Sequence, residues 1–375
     1  MFECVKIVKM KILQIVNSLN TGGAEKLIVE TVPLMVQRGY KVDVLLLCDT
    51  NTQLKKELTT QGIKVWGITR SIKAIYNPLL IFKLIPILKE YDLIHVHLFP
   101  AQYWVALAKK MGRLNIPIIT TEHNTDNRRR HICILKKLEL FIYNAYVNII
   151  TISKQAEINQ VNYIGLENKT KTILNGVDIS KFVDSEPYSK ETLGFKGSDY
   201  LLMMVAGFRK QKDQDTIIRS LIYLPENVKL LLVGDGERKK LCQSLALDIG
   251  VSHRVSFLGI RHDVPNLLKT ADIIIMSSHY EGLSLSSIEG MSVSKPFIAS
   301  DVEGLHEITK GAGVLFEKGN ENELASHVIE LMENKKFYNQ ISASCLERAK
   351  EYDVHSMVDQ LLTTYKEVTD SKKNE

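Results

Sequence analysis

The sequence predicts an α/β protein with two Rossmann-like, doubly wound parallel-sheet domains that face a cleft. Three observations lead to this prediction. The chain has 375 residues, which fits two domains of about 100–200 residues each. Strand-like apolar segments alternate with helix-like amphipathic segments, and this alternation is interrupted once before it starts again. The composition, 45% hydrophobic and 24% charged, is that of a globular protein with a sizeable core.

The first half of the chain alternates apolar, β-branched segments with helical patterns, and an amphipathic helix is predicted over 24–39. Strands that alternate with helices form βαβ units, so we expect a parallel sheet covered on both faces. The predicted strands of this half are 11–16, 41–48, 92–99, 116–123 and 147–153.

The second half starts after a stretch around 175–200 in which polar residues, a proline and glycines mark a domain boundary. The domains are therefore predicted as 1–183 and 184–355, followed by a C-terminal helix and tail, 356–375, that packs back on the first domain. The predicted strands of this half are 200–207, 228–236, 255–259, 271–278, 296–301 and 313–319, and its helices include 213–224, 237–250 and 284–294.

The charge is distributed unevenly along the chain. The net charge is +5, and residues 1–180 carry 24 Lys and Arg against 14 Asp and Glu. This basic half suits an anionic membrane or an anionic substrate. We expect no nucleic-acid partner, because no basic stripe is interleaved with aromatic residues. Scattered cysteines and the lack of a long apolar segment predict a cytoplasmic protein, with peripheral contact at the inner face of the membrane as a further expectation.

A glycine turn joins the first predicted strand to the first predicted helix. Gly22 and Gly23 would let backbone N–H groups approach a ligand closely, and a helix N-terminus favours an anion. This position suits a phosphate, although a plain tight turn explains the same residues.

A basic pair, Arg209 and Lys212, follows the first strand of the second domain. Two cations at the end of a strand suit a diphosphate, which Arg grips in a bidentate manner and Lys binds as a point charge. The alternative is a solvated turn. The acids at 213–215 open a helix, so we expect Asp213 to cap that helix rather than to bind a metal ion.

Two glutamates eight residues apart give the most specific pattern in the chain. Glu281 lies at a strand-to-helix turn, and Glu289 lies about two helical turns further on. Carboxylates accept hydrogen bonds from sugar hydroxyls, so the pair could hold two parts of one ligand. The residues between them would present backbone amides to an anion: Gly282, Leu283, Ser284 and Leu285.

The histidines near the ends of the first-domain strands are further candidates. His97 is preferred over His95 because it lies nearer the strand end, and we expect the two rings to face opposite ways. His123 ends its predicted strand and is followed by polar residues, which favours a role in the site. A structural role is the alternative for each of these side chains.

The segment EGLSLSSIE resembles the EX7E motif of the group 1, or family 4, retaining glycosyltransferases of GT-B fold. Other segments resemble further motifs of that family in the expected order, so the resemblance covers nearly the whole chain. These segments are NSLNTGGAE, HVHLF, TEHNT, ILNGVDISKF, VAGFRKQKD, LLVGDGE and VSFLG.

The resemblance assigns roles to matching positions. It implies that Glu281 contacts the donor sugar and that Glu289 binds the nucleotide ribose. It also implies that Lys212 neutralises the diphosphate, that the Gly23 amide lies near the phosphates, and that His123 lies beside the donor sugar.

The same resemblance places Gly259 and Ile260 near the nucleotide base. One departure is at Gly207, where the family often has an arginine. Arg209, two positions later, is the candidate to replace it.

The resemblance implies sugar transfer from a UDP- or GDP-sugar to a hydroxyl of a lipid-linked or polysaccharide acceptor, with retention of anomeric configuration. No cofactor or metal is expected, since the nucleotide sugar is a substrate. The alternatives are a sugar-nucleotide epimerase of the same fold and a non-catalytic subunit that binds a partner. A nicotinamide oxidoreductase is not expected, because no GxGxxG follows the first strand.

The segment 127–146 combines basic and apolar residues and could be an amphipathic helix at an anionic membrane near the acceptor. A core-packed helix with a solvated basic face is the alternative. The basic residues are Arg128, Arg129, Arg130, Lys136 and Lys137.

Overall fold

The structure is a computed structural model that describes residues 9–20, 22–123 and 135–373. The chain divides into two compact units. Unit 1 comprises Met1–Gly176 and Val354–Glu375, and unit 2 comprises Val177–Asp353. The chain thus passes from unit 1 to unit 2 after Gly176, seven residues before the boundary predicted at 183.

Unit 1 contains a seven-stranded parallel sheet in the order β3-β2-β1-β4-β5-β6-β7. Its strands are β1 (Lys11–Val16), β2 (Lys41–Cys48), β3 (Val65–Thr69), β4 (Leu93–His97), β5 (Ile118–Glu122), β6 (Asn148–Thr151) and β7 (Thr170–Thr172). Its helices are α1 (Gly23–Gln37), α2 (Gln53–Thr60), α3 (Leu80–Leu88), α4 (Ala101–Met111), α5 (Leu135–Tyr143), α6 (Lys154–Ile164) and, from the end of the chain, α15 (Val354–Lys373).

The strands of unit 1 are apolar on both faces, as a parallel sheet covered by helices requires. On β1, Leu13 and Ile15 belong to one buried cluster, whereas Ile12 and Val16 belong to a second cluster on the opposite face. The second cluster also contains Leu361 and its neighbours on α15. The C-terminal helix is thus part of the core of unit 1.

Unit 2 contains a six-stranded parallel sheet in the order β10-β9-β8-β11-β12-β13. Its strands are β8 (Tyr200–Val205), β9 (Val228–Val233), β10 (Val255–Gly259), β11 (Ile273–Met276), β12 (Phe297–Ser300) and β13 (Val314–Phe316). Its helices are α7 (Ile179–Val183), α8 (Gln214–Ser220), α9 (Lys239–Asp248), α10 (Val264–Thr270), α11 (Leu285–Met291), α12 (Leu305–Thr309), α13 (Glu321–Glu333) and α14 (Lys335–Lys350).

Both sheets have the doubly wound strand order, in which the direction of winding reverses beside the first strand. This switch point lies between β1 and β4 in unit 1 and between β8 and β11 in unit 2. Ligands of open α/β sheets bind beyond the carboxyl ends of the strands at such points. Each unit therefore has one sheet edge at which a ligand site is expected.

Two further observations concern the helices and the cysteines of the described residues. Within the described residues, no helix is both long enough and apolar enough to cross a membrane. Cys48, Cys242 and Cys345 are buried free thiols, with no disulfide to another cysteine that the structure describes.

Candidate functional site

At the switch point of unit 2, backbone hydrogen bonds join the turn after β8 to the turn after β11. Lys212 and Ser278 form an isolated antiparallel bridge. The Asp213 amide donates to the Ser277 carbonyl over 3.0 Å, and the His279 amide donates to the Gln211 carbonyl over 2.8 Å. This pairing brings the predicted basic turn beside the predicted acidic one.

The side chains of these two turns converge on Glu281. The Lys212 ammonium donates to the Glu281 carboxylate in a direct ion pair. The Ser278 hydroxyl donates to the same carboxylate oxygen over 2.7 Å. The side chains of Lys212 and Glu281 are only 13% and 7% exposed, so this is a mostly buried charge pair, and each charge depends on the other for compensation. Ser278 was missed by the sequence analysis, although it lies three residues before Glu281.

Asp213 caps α8, as predicted. Its carboxylate accepts from the Thr216 amide over 3.3 Å and from the Ser277 hydroxyl over 3.2 Å. In the part of the chain that the structure covers, no group of three or more His, Cys, Asp or Glu side chains is arranged to hold a metal ion.

Arg209 is exposed, and its side chain folds back toward Gly207. Arg209 Nε lies 3.6 Å from the position that a Cβ on Gly207 would occupy. The guanidinium group therefore reaches the space beside Gly207 that a longer side chain at that position would enter.

The backbone at Gly304 packs against the Glu281 turn, and no sequence pattern pointed to this glycine. The Glu281 amide donates to the Glu303 carbonyl over 3.3 Å. Gly304 has φ of +81°, and a Cβ there would lie 2.1 Å from the Gly282 carbonyl oxygen. Only glycine fits this close backbone approach.

Helix α11 begins immediately after this turn. Ser284 is its N-cap residue and accepts from the Ser287 hydroxyl over 2.8 Å. Leu283 and Leu285 are half-buried, and Glu289 is buried on the helix with 7% exposure.

A second predicted position of unit 2 lies at the end of β10. Gly259 has φ of +68°, and Ile260 after it is 73% exposed. Both positions are thus at the carboxyl edge of the sheet.

In unit 1, the glycine turn after β1 has one crowded and one open position. A Cβ on Gly22 would lie 2.2 Å from the Glu25 carboxylate, whereas a Cβ on Gly23 would have no atom of the described residues within 4 Å. Gly23, the first residue of α1, is therefore the position with room for a ligand.

The prediction that His95 and His97 face opposite ways was wrong. Residues two apart in a strand share a face, and the ring centroids of His95 and His97 are 4.2 Å apart. Both rings are buried beneath α15, where Tyr365 packs edge-on against His95. His97 does not line an open surface, and its ring contacts His123 instead.

Gln14 on β1 organises the hydrogen bonds of the neutral rings. Gln14 Oε1 lies 2.7 Å from His97 Nε2, so this nitrogen carries the ring proton and donates. His97 Nδ1 then accepts from His123 Nε2 over 2.9 Å. Since a neutral imidazole has one N–H, His123 Nδ1 is left as an acceptor.

The second branch of this network leads from Gln14 to α15. Gln14 Nε2 donates to the Tyr365 hydroxyl over 3.3 Å. Tyr365 in turn donates to His95 Nδ1 over 2.5 Å, and His95 Nε2 donates to Thr121 over 2.8 Å. No sequence pattern indicated that Gln14 and Tyr365 meet, since 351 residues separate them.

Burial keeps the histidines of this network neutral. It lowers the pKa of His95 to about 3, with a further contribution from the His123 charge, and it lowers the pKa of His123 to about 4. Burial also lowers the pKa of His97 well below its ordinary value, assisted by the charges of His95 and His123.

These shifts predict that unit 1 loses stability as the pH falls from 7 toward 4. The unfolded histidines take up a proton near pH 6.5, whereas the folded ones do not, so each contributes a slope of up to about 1.4 kcal/mol per pH unit. We expect the slope to be shallower in His95→Gln than in the wild type. Both tryptophans, Trp66 and Trp104, lie in unit 1, so their fluorescence during urea unfolding at several pH values reports on this unit. Equal slopes for the two proteins would contradict the assignment.

The predicted basic membrane segment is only partly described. Arg128, Arg129 and Arg130 lie outside the described residues. Lys136 and Lys137 are exposed on α5. The opposite side of that helix, with Glu139, Ile142 and Tyr143, is buried. The buried side fits a core-packed helix, whereas Leu138 and Phe141 are exposed beside the two lysines, so both alternatives remain for the described part.

Two family models match the chain. The model described as glycosyl transferases group 1 matches residues 185–347, and the model described as glycosyltransferase family 4 matches residues 21–181. An uncharacterized glycosyltransferase of Methanocaldococcus jannaschii is 31% identical over 312 residues, which are 80% of this chain and 82% of that protein. An Escherichia coli galactosyltransferase is 23% identical, with 95% of this chain and 97% of that protein aligned.

Solved structures agree with this fold. The structure of Anabaena HepE in complex with UDP matches with a TM-score of 0.82 at 24% identity, over 95% of this chain and 99% of that one. A glycosyltransferase from Rickettsia africae matches with a TM-score of 0.82 at 21% identity, over 96% of this chain and 98% of that one. The chain therefore belongs to the group 1 (family 4) glycosyltransferases and has their GT-B fold of two Rossmann-like domains.

Proposed function

We propose that the protein transfers a hexosyl or N-acetylhexosaminyl group from a UDP-sugar to a hydroxyl of a lipid-linked acceptor, with retention of configuration, in the assembly of a surface polysaccharide or lipid-linked oligosaccharide. The observation that carries this proposal is the buried Lys212–Glu281 pair at the switch point of unit 2. In this pair, the Lys212 ammonium can bind a diphosphate and the Glu281 carboxylate can accept hydrogen bonds from sugar hydroxyls.

The names of similar proteins support the choice of donor and acceptor. The E. coli relative is named for UDP-galactose and an N-acetylglucosamine-diphosphoundecaprenol acceptor. A Campylobacter jejuni relative, 28% identical over 54% of this chain and 55% of that protein, is named as an N-acetylgalactosaminyltransferase acting on a diphospho-undecaprenol sugar. Anabaena HepE has been solved with UDP and with UDP-glucose. UDP is therefore proposed over GDP.

In this proposal, Lys212 and Arg209 stabilise the negative charge that develops on the departing UDP. Preorganised charges of this kind are worth about 3–4 kcal/mol each in a transition state. Arg209 takes the place of the arginine that the family often has at Gly207, because its side chain already folds back into that space. Glu281 binds hydroxyls of the donor sugar.

The remaining donor contacts are proposed from the motif and from where the residues lie. Glu289 binds the ribose, and Gly259 with Ile260 borders the base at the carboxyl edge of unit 2. The Gly23 amide donates to a phosphate of the donor, and Gly22 lies next to that phosphate in the same turn. The amides that open α11 face the diphosphate: Gly282, Leu283, Ser284 and Leu285.

His123 is proposed to accept a hydrogen bond from a donor-sugar hydroxyl through Nδ1. The hydrogen bonds from Gln14 through His97 favour this tautomer, since they occupy His123 Nε2 as a donor. His97 is thereby proposed to position His123 rather than to touch the donor itself.

The reaction forms a bond between the acceptor oxygen and the anomeric carbon and breaks the bond between that carbon and the β-phosphate oxygen. The acceptor proton passes to the departing phosphate. Attack from the face that UDP leaves gives retention, and Glu281 serves as a sugar ligand rather than a nucleophile.

An NMR time course with a UDP-sugar and a lipid-linked acceptor tests this proposal. The expected product carries the anomeric configuration of the donor, and UDP accumulates with it. An inverted product would contradict the retaining mechanism. An isomer of the UDP-sugar formed without acceptor would indicate an epimerase, and binding of UDP without any turnover would indicate a non-catalytic subunit.

A further inference from the structure

A group of large apolar side chains stands exposed on unit 1, in a segment to which the sequence analysis gave no function. Ile72 is 50% exposed, Tyr76 57%, Leu79 62% and Phe82 59%. These four side chains lie within a stretch of eleven residues, and exposed apolar side chains that are clustered in this way favour an interaction site.

The exposed side chains are held by a well-packed base. They lie on the 3-10 turn Ile72–Tyr76 and at the start of α3, both of which follow β3. Ile75 and Leu84 of the same segment are 3% and 0% exposed. The Trp104 indole donates to the Ile75 carbonyl over 2.7 Å. The apolar group is therefore presented by a fixed scaffold.

The charge along this segment of the chain has one sign. Residues 58–89 contain five basic side chains and no Asp or Glu. Arg70, Lys73 and Lys83 are exposed among the apolar residues. We call Arg70, Ile72, Lys73, Tyr76, Leu79, Phe82 and Lys83 the apolar–basic surface.

This composition favours a lipid bilayer over a protein partner. The cores of protein interfaces are depleted in lysine, whereas interfacial membrane segments combine large apolar side chains with Lys and Arg that face anionic headgroups. A tyrosine beside these residues suits the boundary between headgroups and acyl chains.

The apolar–basic surface lies on the same side of unit 1 as the histidine network. It follows β3 and so lies at the carboxyl edge of the sheet, the edge at which β4 ends in His97. The Tyr76 ring lies 6.2 Å from the ring of Phe99, two residues beyond His97. Aromatic side chains thus connect the apolar–basic surface to the strand that carries the histidine network.

We propose that the apolar–basic surface docks the protein on an anionic lipid bilayer and holds the carboxyl edge of unit 1 against it. The use of this docking for a lipid-linked acceptor rests on the proposed function, whereas the docking itself does not. Helix α5 is the competing surface, with Leu138 44% and Phe141 50% exposed beside Lys136 and Lys137.

The test is sedimentation of the full chain with vesicles of phosphatidylcholine alone or of equal parts phosphatidylcholine and phosphatidylglycerol. We expect binding to the mixed vesicles only, and weaker binding in high salt. The double variant Leu79→Asp, Phe82→Asp should lower binding at least about tenfold, because it places charge on the side chains that enter the bilayer. The matched control is Leu241→Asp, Leu247→Asp on α9, where the leucines are 60% and 68% exposed, and it should bind like the wild type.

Three sedimentation results would overturn the proposal. The first is no binding by the wild type, and the second is unchanged binding by the double variant Leu79→Asp, Phe82→Asp. The third is loss of binding in the double variant Lys136→Glu, Lys137→Glu while Leu79→Asp, Phe82→Asp still binds. A change of oligomeric state in Leu79→Asp, Phe82→Asp would also overturn it, since the surface would then join two copies of the chain. UDP binding and sugar transfer separate the two proposals. UDP binding should be unchanged in the variants that alter the apolar–basic surface. If the wild type sediments with vesicles but transfers no sugar, the docking proposal stands while the proposed function fails.

Discussion

The Lys212→Met variant is expected to lose about 10²–10³-fold in kcat, because the ammonium group would no longer meet the charge on the departing diphosphate. The same change leaves the mostly buried Glu281 carboxylate without its cation, which costs about 3–5 kcal/mol of stability when a buried pair is broken. Turnover of the UDP-sugar and thermal unfolding followed by circular dichroism measure the two effects.

Lys210→Met is the matched control for Lys212→Met. It removes the same charge two residues away, at an exposed position of the same turn. We expect its kcat and stability to stay near those of the wild type. Equal losses in the two variants would show that the net charge of the turn, rather than the contact with Glu281, is what matters.

Gly304→Ala is expected to disrupt the Glu281 turn through the backbone. A Cβ at Gly304 would lie 2.1 Å from the Gly282 carbonyl oxygen and 2.6 Å from that of Glu281, so the turn has to move. A displacement of about 1 Å in a site can lower the rate about 100-fold, and we expect a loss of that order in kcat.

Gly311→Ala separates this contact from the backbone strain of a positive φ. Gly311 has φ of +78°, similar to the +81° of Gly304, but a Cβ there has no atom of the described residues within 4 Å. Both variants should lose about 1–2 kcal/mol from the positive φ, and Gly304→Ala should lose more because its Cβ also overlaps the Gly282 carbonyl oxygen. Only Gly304→Ala should lose turnover, and similar kcat values for the two would refute the role of the contact.

Much of the fold was predictable from the sequence, because buried parallel strands have a strong local signal. The structure gives the predicted bounds for β1 and β2, Lys11–Val16 and Lys41–Cys48. Strands β3 (VWGIT) and β7 (TKT), by contrast, were not predicted. Their residues are only half-buried, and they lie at the two edges of the sheet of unit 1, so the pattern of their side chains is less regular.

The candidate site was predictable where it depends on short motifs. Glu281 and Lys212 were each identified from residue type and position beside a strand, but their direct contact depends on strand order, which brings β8 beside β11. The network of Gln14 and Tyr365 depends on the C-terminal helix joining the core of unit 1. No local pattern carries such information, because it arises from tertiary packing.

The double variant Lys212→Met, Glu281→Gln separates the role of the ion pair in sugar transfer from its role in stability. Removing both charges leaves no lone buried ion, so stability should return toward that of the wild type. We expect turnover of the UDP-sugar nevertheless to remain at least about 100-fold below the wild type, since the donor has lost both its cation and its sugar ligand. Recovery of kcat together with stability would show that Lys212 and Glu281 form a structural ion pair with no role in donor binding or transfer.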